Sequence, residues 1–307
     1  MTEQIDNKIG KLGLLKTIPK QELGGKAYAL NRLVENQINV PDGIVIFASC
    51  FIECLKANRI YDEVNLCCQR VNFGNVTQLS KDLKNLMTHC NIDAVISDIQ
   101  KHTVNLNQFV SVRSSAASED GEQHTFAGLH DSFLNVSNDK ESLSTAIIKC
   151  WASLFNERAL IYRIKKGIPI FEGIAVIIQN MVQAECSGVV YTKHPIEREF
   201  ILIEAAFGIG DSVVDGVIKP DSFLVDRETR TVIRKEIGTK KTKTENVNGK
   251  HIVRTNENQD IFSINDEVLN KLVDSSLTIE SIFNKTQDIE WAYDGVLWFL
   301  QSRTVNF

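Results

Sequence analysis

The stretch QDIEWAYDGVLWFLQSR, residues 287–303, constrains the fold more than any other part of the chain. An Asp-Gly pair between alternating strands predicts a β-hairpin with a two-residue turn at Asp294-Gly295, because both central positions favour positive φ. Strict alternation then sorts the side chains. Ile289, Trp291, Tyr293, Val296, Trp298 and Leu300 form an apolar face that needs a core. Asp288, Glu290, Gln301 and Arg303 fall on the other face, with Asp288 opposite Gln301, and Ala292 and Phe299 share it. That second face has two readings. It is the wetted side of a half-buried hairpin, or it is a metal–phosphate site. Carboxylate and amide oxygens suit Mg²⁺, and a guanidinium suits the phosphates beside it.

The bulk properties bound the choice. With 307 residues there is enough chain for one large domain or two lobes. The 43% hydrophobic and 24% charged content is ordinary for a globular protein. A net charge of −5 argues against a general nucleic-acid binder. The opening MTEQIDNKIG is polar, so no secretory leader is expected. The most apolar run, GIAVIIQNMV, is interrupted by Gln179 and Asn180, so no membrane span is expected either. Seven cysteines show no CxxC pair, which suggests reduced thiols and a cytoplasmic location.

Along the chain, Gly24-Gly25-Lys26 opens an amphipathic helix with Ala27, Leu30, Leu33 and Val34 at helical spacing. A turn at Pro41-Asp42-Gly43 precedes a strand over residues 44–47, and residues 50–105 read as helices. A short strand at 109–112 ends in Arg113 and gives way to small and acidic residues. A helix spans 141–166. Strands follow at 175–178, 188–191 and 200–204, with the first two paired about a hinge at residues 179–182. Residues 223–237 read as a hairpin, and residues 239–260 as a mobile loop or irregular hairpin. A helix over 266–284 leads into the final hairpin. Long helices mixed with antiparallel hairpins make the fold class α+β.

Several segments carry possible chemistry, each with a plainer reading beside it. Paired glycines before Lys26 allow close approach to an anion at a helix N-terminus. The spacing is not that of a Walker A loop, and such a turn with an exposed lysine is commonplace. Arg113 and the run through Thr125, Phe126, Ala127 and Gly128 could fold over a polyphosphate through backbone N–H groups, or form an acidic surface loop. The hinge around Met181 could grip adenine, or simply be core. His194 and the other five histidines show neither a triad pattern nor an HExxH pair, and are read as structural or surface residues.

Taken in order, Gly-Gly-Lys, VRSSAASEDG…TFAG, QNMV…SGVVYTKHP, EAAFGIGDSVVDGVIKPD and DIEWAYDG…LWFLQSR resemble the N-terminal ATP-binding domain of one family. It is shared by phosphoenolpyruvate synthase, pyruvate phosphate dikinase and rifampicin phosphotransferase. The likeness runs from Leu23 to Thr304. It implies an ATP-grasp fold of two lobes clamping ATP, here residues 1–180 and 181–307, with ATP and Mg²⁺ as cofactors. By the same resemblance Lys26 and Arg113 contact phosphates, and Thr125–Gly128, with Ala127, belong to a phosphate-covering loop. Gln179, Asn180, Met181 and Val182 hold adenine, and Glu204 contacts ribose. On the hairpin, Glu290 and Gln301 ligate Mg²⁺, Arg303 meets the phosphates and Asp288 supports the site. The resemblance thus favours the metal–phosphate reading of the polar face.

The family's complete enzymes also carry a histidine that takes the phosphoryl group, and an acceptor-binding domain. None of the six histidines here lies in a segment resembling that histidine's surroundings. Either the chain is a piece of a longer enzyme, or it works with a partner chain that bears the phosphohistidine. The expected function is therefore the Mg·ATP-binding component of a dikinase-type phosphotransferase, ending in AMP, phosphate and a phosphorylated small molecule. A stand-alone kinase giving ADP and a non-catalytic nucleotide-binding regulatory subunit are the alternatives, and neither nucleic acid nor membrane is expected as a partner.

Overall fold

A computed structural model describes residues 8–118, 120–121, 124–125, 129–210, 218–247 and 249–306. Ala127 and Gly128 lie outside the described residues, as does most of the loop around Thr125. The chain divides into two compact units. One comprises the stretch up to Asn31 with Asp42–Met181, the other Arg32–Pro41 with Val182 onward.

In the first unit, strands β1 (Ile9–Lys11), β2 (Gly43–Ile46), β3 (Phe109–Ala116), β6 (Ser132–Ser137) and β7 (Ile174–Asn180) form an antiparallel sheet in the order β1-β2-β7-β3-β6. The short strands β4 (Asp120–Gly121) and β5 (His124–Thr125) pair with each other. Strands β2 and β7 are buried almost throughout, as their near-continuous apolar runs require, and β3 is equally buried although it carries Ser111, Arg113, Ser114 and Ser115. Helices α1 (Lys20–Glu35), α2 (Ala48–Ala57), α3 (Tyr61–Arg70), α4 (Val76–Thr88), α5 (Asp93–Thr103), α6 (Lys140–Ala152) and α7 (Glu157–Lys166) precede and interleave with these strands. A core of Phe51, Trp151 and Phe155 with aliphatic neighbours joins helices to sheet, and the rings of Phe51 and Trp151 lie 5.5 Å apart. The single helix expected over 141–166 is two. A 3₁₀ turn, Ser153–Phe155, separates α6 from α7, and Ser153 Oγ donates back to the Cys150 carbonyl, drawing the chain out of the helix.

In the second unit, β8 (Cys186–Tyr191), β9 (Phe200–Phe207), β10 (Asp221–Asp226), β11 (Val232–Glu236), β14 (Gln287–Tyr293) and β15 (Leu297–Thr304) form a sheet ordered β11-β10-β9-β8-β14-β15. Helix α8 (Asp266–Phe283) packs on β14 and β15 through Val268, Leu269, Leu272, Val273 and Ile279. The α+β expectation therefore holds, with antiparallel pairing between neighbours in each sheet.

Two strand expectations need correction. Strands β7 and β8 do not pair about residues 179–182: β7 lies in the five-stranded sheet and β8 in the six-stranded one. Residues 239–260 form a regular hairpin, β12 (Thr242–Val247) and β13 (Lys250–Thr255), whose cross-strand partners run from Thr242–Thr255 to Val247–Lys250. All seven cysteines are free thiols and all but Cys67 are buried. No helix among the described residues is long and apolar enough to cross a membrane.

Candidate functional site

The final hairpin departs from strict alternation at one residue, and the departure builds the polar face. Asp288 pairs with Arg303, Ile289 with Ser302 and Glu290 with Gln301, after which the register slips so that Trp291 faces Phe299. Leu300 is the extra residue of a β-bulge, the usual means of re-aiming side chains along a strand. The turn holds three residues rather than two, Asp294-Gly295-Val296 between the paired Tyr293 and Leu297, with Gly295 at φ +94°. Cross-strand partners share a face. The buried side therefore carries Ile289, Trp291, Leu297 and Phe299, while Trp298 joins Ala292 on the other. Phe299 was expected on the polar face and Asp288 opposite Gln301. Both expectations fail: the three-residue turn shifts the register by one, which puts Phe299 opposite Trp291, and the bulge shifts it by one more, which puts Asp288 opposite Arg303.

The polar face is held by two cross-strand contacts. Arg303 Nε and Nη2 both donate to Asp288 Oδ2, at 2.8 and 2.5 Å. Gln301 Nε2 donates to Glu290 Oε1 at 3.1 Å. Register carries the face across the sheet. Glu290 aligns with Val189 and then Glu204, and Asp288 with Tyr191 and then Leu202. Glu204, expected near a ligand, thus lies on the same face as the hairpin quartet, and Tyr191, which sequence reasoning passed over, lies between them. Its pairing with Asp288 of β14, distant in sequence, puts it there, and no local pattern in SGVVYT signals it.

Negative charge is crowded here. Burial, and then the Asp288 carboxylate, push the Glu204 carboxyl above its ordinary range. Burial drives the Tyr191 phenol up to about 12, with the Asp288, Glu204 and Glu290 carboxylates adding and Arg303 opposing.

The first unit brings together its own set. Gly24 breaks α1 with φ 72° and ψ 171°, a region open only to glycine, so that the helix restarts at Gly25-Lys26. Lys26 Nζ donates to the Ser114 carbonyl at 3.3 Å, placing it beside the strand that bears Arg113. Arg113 was expected at a strand end. It lies instead in the middle of β3, 9% exposed, between Ile177 and Ser132. Gln179 and Asn180 end β7, where Gln179 is buried and pairs with Gly43 and Ser111. The Asn180 side chain has a structural task, since its Oδ1 accepts the Asn107 N–H at 2.7 Å. Met181 N donates to the Phe109 carbonyl at 3.5 Å, and Val182 begins the second unit's portion. His194 Nδ1 accepts the N–H groups of Ile196 and Glu197 at 3.2 and 2.9 Å, a turn-holding role that agrees with its structural reading.

Comparison with known proteins identifies the pattern. A probable phosphoenolpyruvate synthase of Archaeoglobus fulgidus is 33% identical over 301 residues, covering 92% of this chain and 40% of its own. A rifampicin phosphotransferase of Bacillus cereus is 31% identical, covering 92% of this chain and 34% of its own. A prodigiosin-synthesizing transferase of Serratia marcescens is 30% identical, covering 95% and 32%. The chain spans less than half the length of each of these relatives. The family model described as pyruvate phosphate dikinase, AMP/ATP-binding domain, matches residues 20–307, and the chain belongs to that family.

Proposed function

We propose that this chain binds Mg·ATP and passes a phosphoryl or pyrophosphoryl group to a histidine on another domain or chain, so that the complete reaction yields AMP, phosphate and a phosphorylated acceptor. The observation that carries the reading is the paired polar face of the last hairpin, Glu290 with Gln301 and Asp288 with Arg303. Family membership and the ATP-grasp fold implied by the sequence resemblance support it.

The donor set suits magnesium. Glu290 and Gln301 stand side by side, the Gln301 amide nitrogen donating to the Glu290 carboxylate, and a turn of that amide would set its oxygen beside the carboxylate as a second hard ligand. Mg²⁺ takes one or two protein ligands and completes its shell with water and phosphate oxygens, a number that this pair can supply. When bound, the ion would neutralise charge on the nucleotide phosphates.

The protein's own groups do the remaining work. Arg303, aimed by Asp288, presents guanidinium N–H groups to phosphate oxygens. Lys26 and Arg113 supply cationic donors from the first unit, and Lys26 sits at a helix start where backbone N–H groups also favour an anion. Glu204 accepts hydroxyl protons from ribose. In-line phosphoryl transfer needs this positioning and charge neutralisation more than a nucleophile from this chain. The test is nucleotide product analysis with Mg·ATP, with the chain alone and with lysate from its source. AMP formed only with lysate is expected, and ADP formed by the chain alone would overturn the dikinase reading.

A further inference from the structure

The kink in α1 is bridged by a side chain from another element. In an unbroken helix the Ala27 N–H would bond the Leu23 carbonyl, four residues back. Here Ser115 of β3 is inserted into that gap. Its Oγ accepts the Ala27 N–H at 3.1 Å and donates to the Leu23 carbonyl at 2.8 Å, across 88 and 92 residues of chain. Insertion of a polar group into the helical ladder is a recognised cause of a sharp bend. The bend has no room for a larger residue: a Cβ on Gly24 would fall 2.0 Å from the Ser115 carbonyl oxygen. Ser115 is fully buried. The same strand receives the far end of Lys26, whose Nζ donates to Ser114 O, and carries Arg113 two residues earlier. Ser114 is itself pinned, its N and Oγ both donating to the Asp131 carbonyl.

We propose that Ser115 is a positioning residue for phosphate recognition, fixing the register between the Lys26 helix start and the Arg113 strand. The proposal rests on the phosphate role assigned to Lys26 above. A hydroxyl at this place does what an apolar residue of similar size cannot. It satisfies one donor and one acceptor that the kink has separated, and both are buried. Without it the helix has two courses. It can close the gap by re-forming the Ala27–Leu23 bond, which rotates Lys26 away from its place, or it can leave both groups unpaired. Either course loosens Lys26 relative to Arg113 while leaving residues 179–182 untouched.

The experiment measures the affinities of ATP and adenosine, by calorimetry on the full chain with Mg²⁺ present, for wild type, Ser115→Ala, Lys26→Ala and the double variant. The expected result is that Ser115→Ala lowers the ATP-over-adenosine preference about tenfold, the scale of one well-placed hydrogen bond to a charged group, with adenosine affinity unchanged. In the Lys26→Ala background the same substitution should cost nothing further, because the lysine it positions is gone. A purely structural residue would lower both affinities together and act equally in both backgrounds. Ser115→Cys, close in shape and a poor hydrogen-bonding group, should reproduce the alanine effect. If Lys26→Ala lowers the preference while folded Ser115→Ala and Ser115→Cys do not, the positioning role is overturned and the phosphate role of Lys26 stands. If Lys26→Ala leaves the preference unchanged, the phosphate role fails and takes this inference with it. Failure of both Ser115 variants to fold would make it a folding residue and overturn the positioning role.

Discussion

Removing the Asp288 carboxylate separates charge from hydrogen bonding at the heart of the polar face. Both Arg303 contacts converge on one oxygen, Oδ2, rather than forming a two-oxygen fork. The Asp288 side chain is 6% exposed and that of Arg303 23%. Asp288→Ala therefore leaves a largely buried guanidinium without its counter-charge. Breaking a fully buried pair costs about 3–5 kcal/mol, and water reaching the part-exposed Arg303 reduces this to about 2–3 kcal/mol. Asp288→Asn keeps an oxygen in the accepting position and loses only the charge assistance, a cost of about 1 kcal/mol. Urea unfolding followed by tryptophan fluorescence suits the measurement. Trp291 and Trp298 lie in this hairpin and Trp151 in the first unit, so single-tryptophan variants assign each transition to its unit. The expected order of midpoints is wild type, then Asp288→Asn, then Asp288→Ala, confined to the second unit. An alanine variant as stable as wild type, or an asparagine variant as damaged as alanine, would refute the reasoning.

Glu290→Ala should abolish turnover while adenine nucleotides still bind, and wild-type turnover in that variant would remove the metal assignment. Glu204 gives a prediction in pH. Burial first, and then Asp288, raise its folded-state pKa above the ordinary 4.5. Between the two values the folded chain holds more protons than the unfolded one, so stability falls as pH rises through that window. Glu204→Gln removes this loss. Its stability advantage over wild type should be near zero below pH 4.5, grow as pH rises through the folded pKa and then level off. Denaturation at a series of pH values checks the sign, and an advantage that shrank with rising pH would contradict it.

The long apolar runs made most elements readable, because β2, β7 and α8 bury what their patterns require. The bulge was not readable, for a physical reason. Trp298, Phe299 and Leu300 are three consecutive apolar residues, so alternation has no preference about which of them turns inward. The pairing partners decide, and those are distant in sequence. The same limit hid the separation of β7 from β8. The connection between them is short enough for a hairpin, and nothing local distinguishes folding back from passing on to another sheet. Glycine's part in Gly24-Gly25-Lys26 was legible as close approach, but what it approaches, Ser115, lies 91 residues away in sequence and could not be seen. The shared face of the quartet was legible although its pairing was not, because the longer turn and the bulge each shift the register by one residue and together restore the phase of Gln301 and Arg303.

The bulge at Leu300 divides that hairpin into two segments with independent phase. From Gln287 to Glu290 and from Gln301 to Thr304 the pairing follows one register, and from Trp291 to Phe299 another. The outer segment is tied by its own contacts, Asp294 Oδ1 accepting the Val296 N–H and the Trp298 Nε1–H, and a Cβ on Gly295 would meet no atom within 4 Å although its positive φ favours glycine. Deleting Leu300 would put Gln301 and Arg303 out of phase with Glu290 and Asp288, on the face that Ile289 and Trp291 bury. One extra leucine thus lets a single hairpin bury Trp291 and Phe299 at its outer end and still hold Gln301 and Arg303 on the face of Glu290 and Asp288 at its base.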